Sequence, residues 1–294
     1  MSYIRLVNVT KRFGNVTAVD NLNLEIAKGE CFSMLGPSGC GKTTTLRMVA
    51  GFEDLDDGEI HVGERLLSSR RTNHYTPPEN RDFGMVFQAF AVWPHLSVYE
   101  NVAFPLRLRK LPAAEIENRT RDALRHTNLL DVAADSPSDL SGGGKQRVAL
   151  ARALAIQPDV MLLDEPLSSL DPHLREEMRF EIKDLQRHYG FSILYVTHDQ
   201  SEAMALSDRI MVMKLGVVQQ VGTPLEVLHA TGQQIRVQLH RAVELHRHRH
   251  WRERFLARRH CHSAQRGRNT VARQAARRHA GDVGVAPVGD RFRQ

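Results

Sequence analysis

The fold of this chain is decided by the stretch Gly36-Pro37-Ser38-Gly39-Cys40-Gly41-Lys42-Thr43-Thr44. It matches the pattern G-x-x-x-x-G-K-[ST]; an apolar run at 31–35 predicts a buried strand before it, and residues 44–50 predict a helix after it. Glycines allow a tight turn, and successive N–H groups beside a helix N-terminus form an anion site. Lys42 can then reach the β- and γ-phosphates of a nucleotide, and the Thr43 hydroxyl can bind Mg²⁺. A glycine turn with a chance lysine is the weaker interpretation.

Length and composition restrict the classes to which the chain can belong. Its 294 residues suffice for one large domain or two smaller ones, and 41% hydrophobic residues supply a sizeable core. No apolar run approaches the ~20 residues that span a bilayer, and the first residues lack the apolar core of a signal peptide. Three cysteines, two of them beside or inside the glycine-rich loop, argue against a disulfide framework. We expect a cytoplasmic protein.

Charge is distributed unevenly along the chain. Residues 229–294 contain fifteen Arg, eight His, no Lys and four acids, so this segment has a net charge of +11. Because the whole chain carries +6, residues 1–228 carry −5. We therefore predict a domain at 1–228 and a separate basic tail at 229–294.

The sequence of the N-terminal third predicts two strands and a region of loops. Alternation indicates strands at 3–9 and 19–26, with a turn at 11–14 between them. Phe13 can therefore lie near a nucleotide and stack on its base, although an ordinary core phenylalanine is an equally good interpretation. Residues 51–80 are rich in turn formers, and we predict turns and loops there.

The sequence of the middle of the chain predicts a short strand and then a helical block. Residues 82–87 have the pattern of a strand, which ends at Gln88. The pattern of residues 96–135 predicts mostly helical structure. We expect prolines to break the helices in and around this block, namely Pro94, Pro105 and Pro112.

A second anion site is indicated where Leu140-Ser141-Gly142-Gly143-Gly144 opens a helix that continues to Ile156. Ser141 is suited to be the N-cap, and the glycines expose N–H groups at the positive end of the helix. A Ser-Gly-Gly-Gly run alone is usually a flexible loop. The alanine- and leucine-rich helix behind it favours the anion site.

Two carboxylates follow a later apolar strand. The run 159–163 ends in Asp164 and Glu165, and paired acids at the end of a buried strand indicate metal binding or proton transfer. Asp164 is suited to bind Mg²⁺, and Glu165 to act as a base for water; a pair of surface acids is the weaker alternative. His198 follows the apolar run 191–196, and strand ends face the ligand in nucleotide-binding folds. A lone histidine is otherwise more often structural.

Taken in this order, the motifs resemble those of the ATP-binding subunit of ABC transporters, over residues 3 to about 227. Phe13 matches the adenine-stacking aromatic, and Gly36 to Thr44 match the Walker A motif. The other matches are Gln88 with the Q-loop, Leu140 to Gly144 with the signature, Asp164 with Walker B, Glu165 with the catalytic glutamate, Ser168 to Asp171 with the D-loop, and His198 with the switch histidine. The resemblance implies Mg²⁺ ligands at Thr43, Gln88 and Asp164, and catalytic roles for Gln88, Glu165 and His198.

The resemblance also implies an architecture and a working unit. The fold would be α/β, a RecA-like P-loop NTPase core with an antiparallel β part and a helical subdomain inserted at about 96–155. Two copies would enclose two ATP molecules, each phosphate loop facing the partner's Ser141 to Gly144. Membrane permease subunits would contact the groove near Gln88 at the cytoplasmic face of the plasma membrane. Closure and release of the dimer would act on them through this contact. A solute-binding protein would act indirectly, and we expect no nucleic acid partner.

Two strings, 88–98 and 197–204, are similar to those of bacterial importers of ferric iron, polyamines and sugars. The string 175–179 leans towards the iron and polyamine types. We therefore expect an ATP-hydrolysing importer subunit. The alternatives are a soluble ABC ATPase that acts on nucleic acid through its basic tail, and an inactive truncated subunit.

One signature position departs from the family pattern. Members usually carry Gln where this chain has Gly144, whereas Ser141, Gly142 and Gly143 are retained. A glycine in the first turn of a helix is less favourable than alanine by about 0.5–1 kcal/mol. We expect Gly144→Gln to raise activity or ATP-driven dimerisation modestly.

We interpret the basic tail as the product of a frameshift near codon 228. Family members continue with a pattern like R-P-A-N-x-F-V-x-x-F-I-G into a small regulatory β domain. The degenerate codons of residues 228–241, started one base later, permit Y-T-R-P-A-N-K-F-V-F-N-F-I-G. A GC-rich gene read out of frame also explains a tail with many Arg and His. The alternative is a genuine basic tail that binds nucleic acid or anionic lipid; either tail would be disordered.

Resequencing the gene tests the frameshift. We expect the alternative frame to stay open well beyond codon 228 and to encode the regulatory β domain, because a single extra base leaves the downstream codons intact. Stop codons soon after codon 228 in that frame would contradict the interpretation.

Overall fold

The computed structural model describes residues 2–230, so the predicted tail lies outside the described residues except for its first two positions. The strands are β1 (Ser2–Phe13), β2 (Val16–Ala27), β3 (Cys31–Leu35), β4 (Asp57–Val62), β5 (Arg65–Ser69), β6 (His74–Tyr75), β7 (Gly84–Val86), β8 (Val160–Asp164), β9 (Ser192–Thr197), β10 (Arg209–Lys214) and β11 (Val217–Gly222). The α-helices are α1 (Lys42–Ala50), α2 (Val98–Leu108), α3 (Ala113–His126), α4 (Gly142–Ala155), α5 (Pro172–Tyr189), α6 (Gln200–Leu206) and α7 (Pro224–Ala230).

The strands form two sheets. One is antiparallel, with the order β2-β1-β4-β5-β6. The other has the order β11-β10-β3-β9-β8-β7, in which all neighbours run parallel except the edge strand β11. Every residue of β3, β8 and β9 is buried, as in parallel sheets that are covered on both faces. The predicted α/β fold with an antiparallel part is therefore confirmed.

The strand order brings four distant segments of the chain to one sheet edge. The glycine-rich loop follows β3, His198 follows β9, and Gln88 lies two residues after β7. Asp164 is the last residue of β8, which lies between β9 and β7. Because parallel strands end at the same edge, the predicted site residues of these segments gather there.

Two predictions for the N-terminal third were wrong. Residues 11–13 continue β1, and the turn lies at Gly14 and Asn15. The region 51–80, predicted as turns and loops, contains β4, β5 and β6. These strands are short and largely polar, so the local sequence predicts them only weakly. They form by successive pairing, β4 on β1, β5 on β4 and β6 on β5.

Pro105 does not break its helix, contrary to the prediction. It lies inside α2, which starts with a capping box between Ser97 and Glu100 and runs on to Leu108. The side chains of Val98, Val102 and Leu106 in α2 are fully buried. Packing of this apolar face against α3 and α4 holds the helix together across the proline.

No helix within residues 2–230 has both the length and the apolar character required to cross a membrane.

The C-terminal end of α1 is held by a buried arginine. Arg81 is only 1% exposed, and its Nη1 donates to the carbonyls of Met48 and Val49, each at 2.8 Å. Nε donates to the Thr76 carbonyl at 2.7 Å, and Nη2 to Ser68 Oγ at 2.9 Å. Burial lowers the pKa of Arg81 to about 10. The cation thus lies at the negative end of the α1 dipole, where it is favourable.

Candidate active site

The glycine-rich loop turns from β3 into α1 by close backbone contact. Gly41, the residue before α1, has a φ of +102°, and a Cβ there would lie 2.3 Å from the Ala18 carbonyl oxygen. A Cβ on Gly36 would lie 2.4 Å from the Met213 carbonyl oxygen. Both positions therefore exclude any side chain. The loop tip, Pro37 to Gly39, is exposed beside the N-terminus of α1.

The Lys42 side chain folds back over this loop. Lys42 is 4% exposed, and its ammonium donates to the carbonyl oxygens of Gly36 at 2.7 Å and Pro37 at 3.0 Å. The Cys40 thiol lies 3.7 Å away. No carboxylate within residues 2–230 forms an ion pair with Lys42. A buried cation whose partners are all neutral fits an anionic ligand at the loop.

A hydroxyl and a carboxylate meet next to the loop. Thr43 Oγ1 donates to Asp164 Oδ1 over 3.0 Å, joining the start of α1 to the end of β8. Burial raises the pKa of Asp164, and the hydrogen bond from Thr43 opposes that rise. A cation beside this carboxylate would offset the desolvation. Two hard oxygen donors beside a phosphate loop fit Mg²⁺.

Glu165 is turned towards His198 by an unusual backbone conformation. Its φ is +44°, in the left-handed region that non-glycine residues rarely adopt, and such conformations cluster at functional sites. The Glu165 N–H donates to the Val196 carbonyl at 2.9 Å, which fixes this turn against β9. Glu165 Oε2 then lies 3.0 Å from His198 Nδ1. Because a carboxylate only accepts, Nδ1 carries the hydrogen of this contact.

The second glycine-rich segment caps α4, as predicted. Ser141 Oγ accepts a hydrogen bond from the Gly144 N–H at 3.2 Å, and Ser141 and Gly142 are exposed. Within the part of the chain that the structure describes, the segment 141–144 makes no hydrogen bond or ion pair with the phosphate loop. The two predicted anion sites are therefore separate in one chain.

The structure changes the expectation for Gly144. A Cβ at this position would lie 2.9 Å from the Leu140 Cβ, so any larger residue must displace the chain before α4. This displacement opposes the gain of about 0.5–1 kcal/mol that a better helix former brings. We therefore expect Gly144→Gln to leave the melting temperature nearly unchanged and to raise ATP-dependent dimerisation modestly, measured by size-exclusion chromatography.

Gly144→Ala is the matched control, because it makes the same contact with Leu140 but carries no amide. Equal dimerisation of the alanine and glutamine variants would show that the amide at this position has no role.

Phe13 and Gln88 are both exposed. The Phe13 ring, at the end of β1, is 48% exposed, and the Lys11 ammonium lies 5.2 Å from its centroid. This exposure excludes the interpretation of Phe13 as an ordinary core residue. Gln88 is exposed after β7, next to Phe87, whose ring packs against Phe52 at a centroid distance of 5.9 Å.

The predicted D-loop packs on the backbone of Glu165. Ser168 Oγ donates to the Glu165 carbonyl at 2.9 Å, and Asp171 caps α5 by accepting from the His173 N–H at 3.1 Å. Sequence analysis missed Arg175, whose guanidinium contacts this loop. Nothing in the local sequence distinguishes it from other arginines of an amphipathic helix.

A buried lysine over a glycine-rich loop, a hydroxyl–carboxylate pair and a glutamate–histidine pair at one sheet edge define a P-loop nucleotide-binding protein. A family model described as ABC transporter matches residues 19–168, just over half of the chain, and the chain belongs to this family. The resemblance inferred from the motifs is therefore confirmed.

Curated relatives carry importer names. The chain is 52% identical over 227 residues to the trehalose/maltose import ATP-binding protein of Thermococcus litoralis, covering 77% of this chain and 61% of that protein. It is 51% identical over 224 residues to the spermidine/putrescine import ATP-binding protein of Marinobacter nauticus, covering 76% and 58%. The chain thus spans about three fifths of the length of these relatives.

Solved structures similar to this chain include a nucleotide-bound dimer. A dimeric ATP-binding cassette in a post-hydrolysis state, bound to ADP and phosphate, is 34% identical to this chain. The TM-score is 0.65, and the match covers 75% of this chain and 98% of that one.

Proposed function

We propose that this chain binds ATP with Mg²⁺ and hydrolyses it as the ATP-binding subunit of a solute importer. The observation that carries the proposal is the gathering of Lys42, the Thr43–Asp164 pair and the Glu165–His198 pair at one edge of the parallel sheet. The importer names of the relatives and the ADP-bound cassette support it.

The loop would bind the phosphates, and its lysine would neutralise their charge. The backbone N–H groups of residues 38–44 and the N-terminus of α1 offer the donors. Lys42 would exchange its bonds to the Gly36 and Pro37 carbonyls for phosphate oxygens, which are stronger acceptors. The exposed Phe13 ring would stack on the adenine.

Thr43, Asp164 and Gln88 would hold the Mg²⁺ ion, which when bound neutralises the β- and γ-phosphate oxygens. The hydrogen bond between Thr43 and Asp164 already brings two of these donors to one point. Asp164 is 8% exposed, so little water competes for its carboxylate.

Glu165 would orient the attacking water and accept its proton. The carboxylate lies one residue beyond Asp164, and the left-handed φ directs it out of the strand. His198 donates to Glu165 Oε2, which leaves the other carboxylate oxygen for water. The D-loop hydroxyl of Ser168, bound to the Glu165 carbonyl, would hold the same turn from the other side.

The working unit would be a dimer that encloses two ATP molecules. The N-terminus of α4, formed by Ser141, Gly142, Gly143 and Gly144, of which Ser141 and Gly142 are exposed, would face the phosphates held by the partner. Support comes from the separation of the two anion sites in one chain and from the dimeric state of the similar cassette. ATP would therefore close the dimer, and hydrolysis would release it.

Permease subunits would dock beside Gln88 at the cytoplasmic face of the membrane. The partly exposed rings of Phe52 and Phe87 offer an apolar contact there, since Phe52 is 52% and Phe87 37% exposed. The relatives are named for import of sugars or of polyamines. From the string 175–179 we infer a polyamine or ferric-iron system in preference to a sugar system. A solute-binding protein would deliver the solute, and nucleic acid has no part in the cycle.

We place the ATP-binding domain at residues 1–228, with the helical subdomain at about 96–155, and treat 229–294 as a basic tail without an evolved role. The matches to the curated relatives cover 227 and 224 residues, about the length of the proposed ATP-binding domain. The tight packing of α2, α3 and α4 agrees with a helical subdomain.

The test is phosphate release from ATP by the purified full chain with and without Mg²⁺. We expect Mg²⁺-dependent hydrolysis, and we expect Lys42→Ala to weaken binding of a fluorescent ATP analogue because it removes the cation from the phosphates. No nucleotide binding by the parent chain would reject the proposal. Salt-sensitive stimulation of the ATPase by DNA or RNA would instead favour the nucleic acid alternative.

A further inference from the structure

We propose that Arg175 is a positioning residue that links the D-loop, residues 168–171, to the segment that carries His198. The inference rests on the proposed function, because it concerns the geometry of the Glu165–His198 pair. Arg175 lies in the first turn of α5, and its side chain is 27% exposed, so the guanidinium is mostly enclosed.

On one side the guanidinium binds backbone carbonyls of the D-loop and the residue before it. Nη2 donates to the Leu170 carbonyl at 3.0 Å and to the Ser168 carbonyl at 3.5 Å. Nε donates to the Leu167 carbonyl at 3.3 Å. These three bonds attach the loop to the helix that follows it.

On the other side the guanidinium faces two acids that follow His198. Nη1 lies 3.4 Å from Asp199 Oδ2, and Nε lies 3.6 Å from Glu202 Oε1. Asp199 is the residue next to His198 and caps α6 by accepting from the Ser201 N–H at 2.7 Å. Arg175 therefore bridges the D-loop, which follows β8, to the segment that follows β9, where Asp199 lies 24 residues beyond Arg175 in the chain.

Glu202 makes this bridge rigid. Its side chain is 3% exposed, and Oε2 accepts from Tyr195 Oη at 3.0 Å and from Thr197 Oγ1 at 2.7 Å. Burial raises the pKa of Glu202, and the two hydroxyl bonds and the Arg175 charge oppose that rise. Thr197 Oγ1 also accepts from the Asp199 N–H at 2.9 Å. His198 is thus flanked on both sides by residues of one connected network.

The arrangement makes the Glu165–His198 contact sensitive to the D-loop. Ser168 Oγ holds the Glu165 carbonyl from one side, and Asp199 and Thr197 hold the His198 segment from the other. Arg175 joins the two sides, so movement of the D-loop is transmitted to His198. A guanidinium can do this because its donors form a rigid fork, whereas lysine offers a single point charge.

Steady-state kinetics of the full chain test the inference. We expect Arg175→Met to lower kcat at least about tenfold, because misplacing a catalytic pair by about 1 Å costs up to about 100-fold. Nucleotide affinity and KM should stay within about twofold, because Arg175 touches no phosphate donor. Arg187→Met, in the exposed last turn of the same helix, is the matched control and should behave like the parent chain.

Arg175→Lys separates positioning from simple stabilisation. It keeps the charge near Asp199 and Glu202, so thermal stability should return towards that of the parent, while kcat stays low because one ammonium cannot hold both sides. Full recovery of kcat in Arg175→Lys would overturn the bridging role. An equal fall in stability, affinity and kcat in Arg175→Met would also overturn the bridging role, because it would indicate a general loss of structure.

A spectroscopic measurement tests the inference independently of the proposed function. The Hε1 resonance of His198, assigned by its loss in His198→Gln, should shift in Arg175→Met and not in Arg187→Met, without any hydrolysis. An unchanged resonance would overturn the positioning role even if the chain is an active ATPase. A chain that hydrolyses no ATP, with the resonance shifted, would reject the proposed function and retain the link between Arg175 and His198.

Discussion

Glu165→Gln is expected to lower the rate of ATP hydrolysis by about 10²–10⁴-fold while ATP binding stays intact. The amide keeps the size and shape of the side chain but removes the only carboxylate that lies beside both Asp164 and His198 in the described residues. Within the described residues, Glu165 makes no hydrogen bond to Lys42, Thr43 or Asp164, so the amide leaves the contacts of the phosphate loop in place. Binding and chemistry should therefore separate in this variant.

The measurement pairs phosphate release with the affinity for a fluorescent ATP analogue. Glu64→Gln is the control, since this acid is exposed and lies between β4 and β5 in the antiparallel sheet. Lys42→Ala should instead lower the affinity for the ATP analogue, which Glu165→Gln leaves intact. Because ATP stays bound and uncleaved, Glu165→Gln should also accumulate as an ATP-dependent dimer in size-exclusion chromatography. Turnover within about threefold of the parent would reject Glu165 as the base.

The parts of the site that the sequence predicted are those where chemistry demands particular residues at fixed spacing. The phosphate loop requires glycines where the backbone touches Ala18 and Met213, so its pattern is visible without a structure. Asp164 at the end of β8 and Glu165 after it could be predicted because carboxylates rarely end a buried strand without a role. The cap at Ser141 follows from a hydroxyl before a helical pattern.

The features that were missed depend on contacts between distant segments. The polar strand β4 exists because it pairs with β1, and β5 because it pairs with β4; α2 continues through Pro105 because its apolar face is buried. The left-handed φ of Glu165 follows from a backbone bond to Val196, 31 residues further along the chain. Arg175 gained a role only when the D-loop and α6 were seen on either side of it. Local propensity carries no information on such contacts.

Arg81→Met should destabilise the protein by about 3–5 kcal/mol, which is a large part of the stability of an ordinary domain. Methionine fills much of the volume but cannot donate to the four acceptors that Arg81 serves. The carbonyls of Met48 and Val49 would then lose these donors at the C-terminal end of α1, and each buried unsatisfied group costs about 1–3 kcal/mol. Because α1 begins at the phosphate loop, nucleotide affinity should also fall.

Thermal unfolding of the purified chain measures the effect, and a loss of 3–5 kcal/mol corresponds to a melting temperature lower by about 6–20 °C for a domain of this size. Arg81→Lys should lie between Arg81→Met and the parent, since one ammonium can reach the α1 carbonyls but not also Ser68 Oγ. Arg70→Met, at an exposed position after β5, is the matched control and should change the melting temperature little. If Arg81→Met unfolds within about 2 °C of the parent, the arginine does not hold α1, and the buried cation must be retained for another reason.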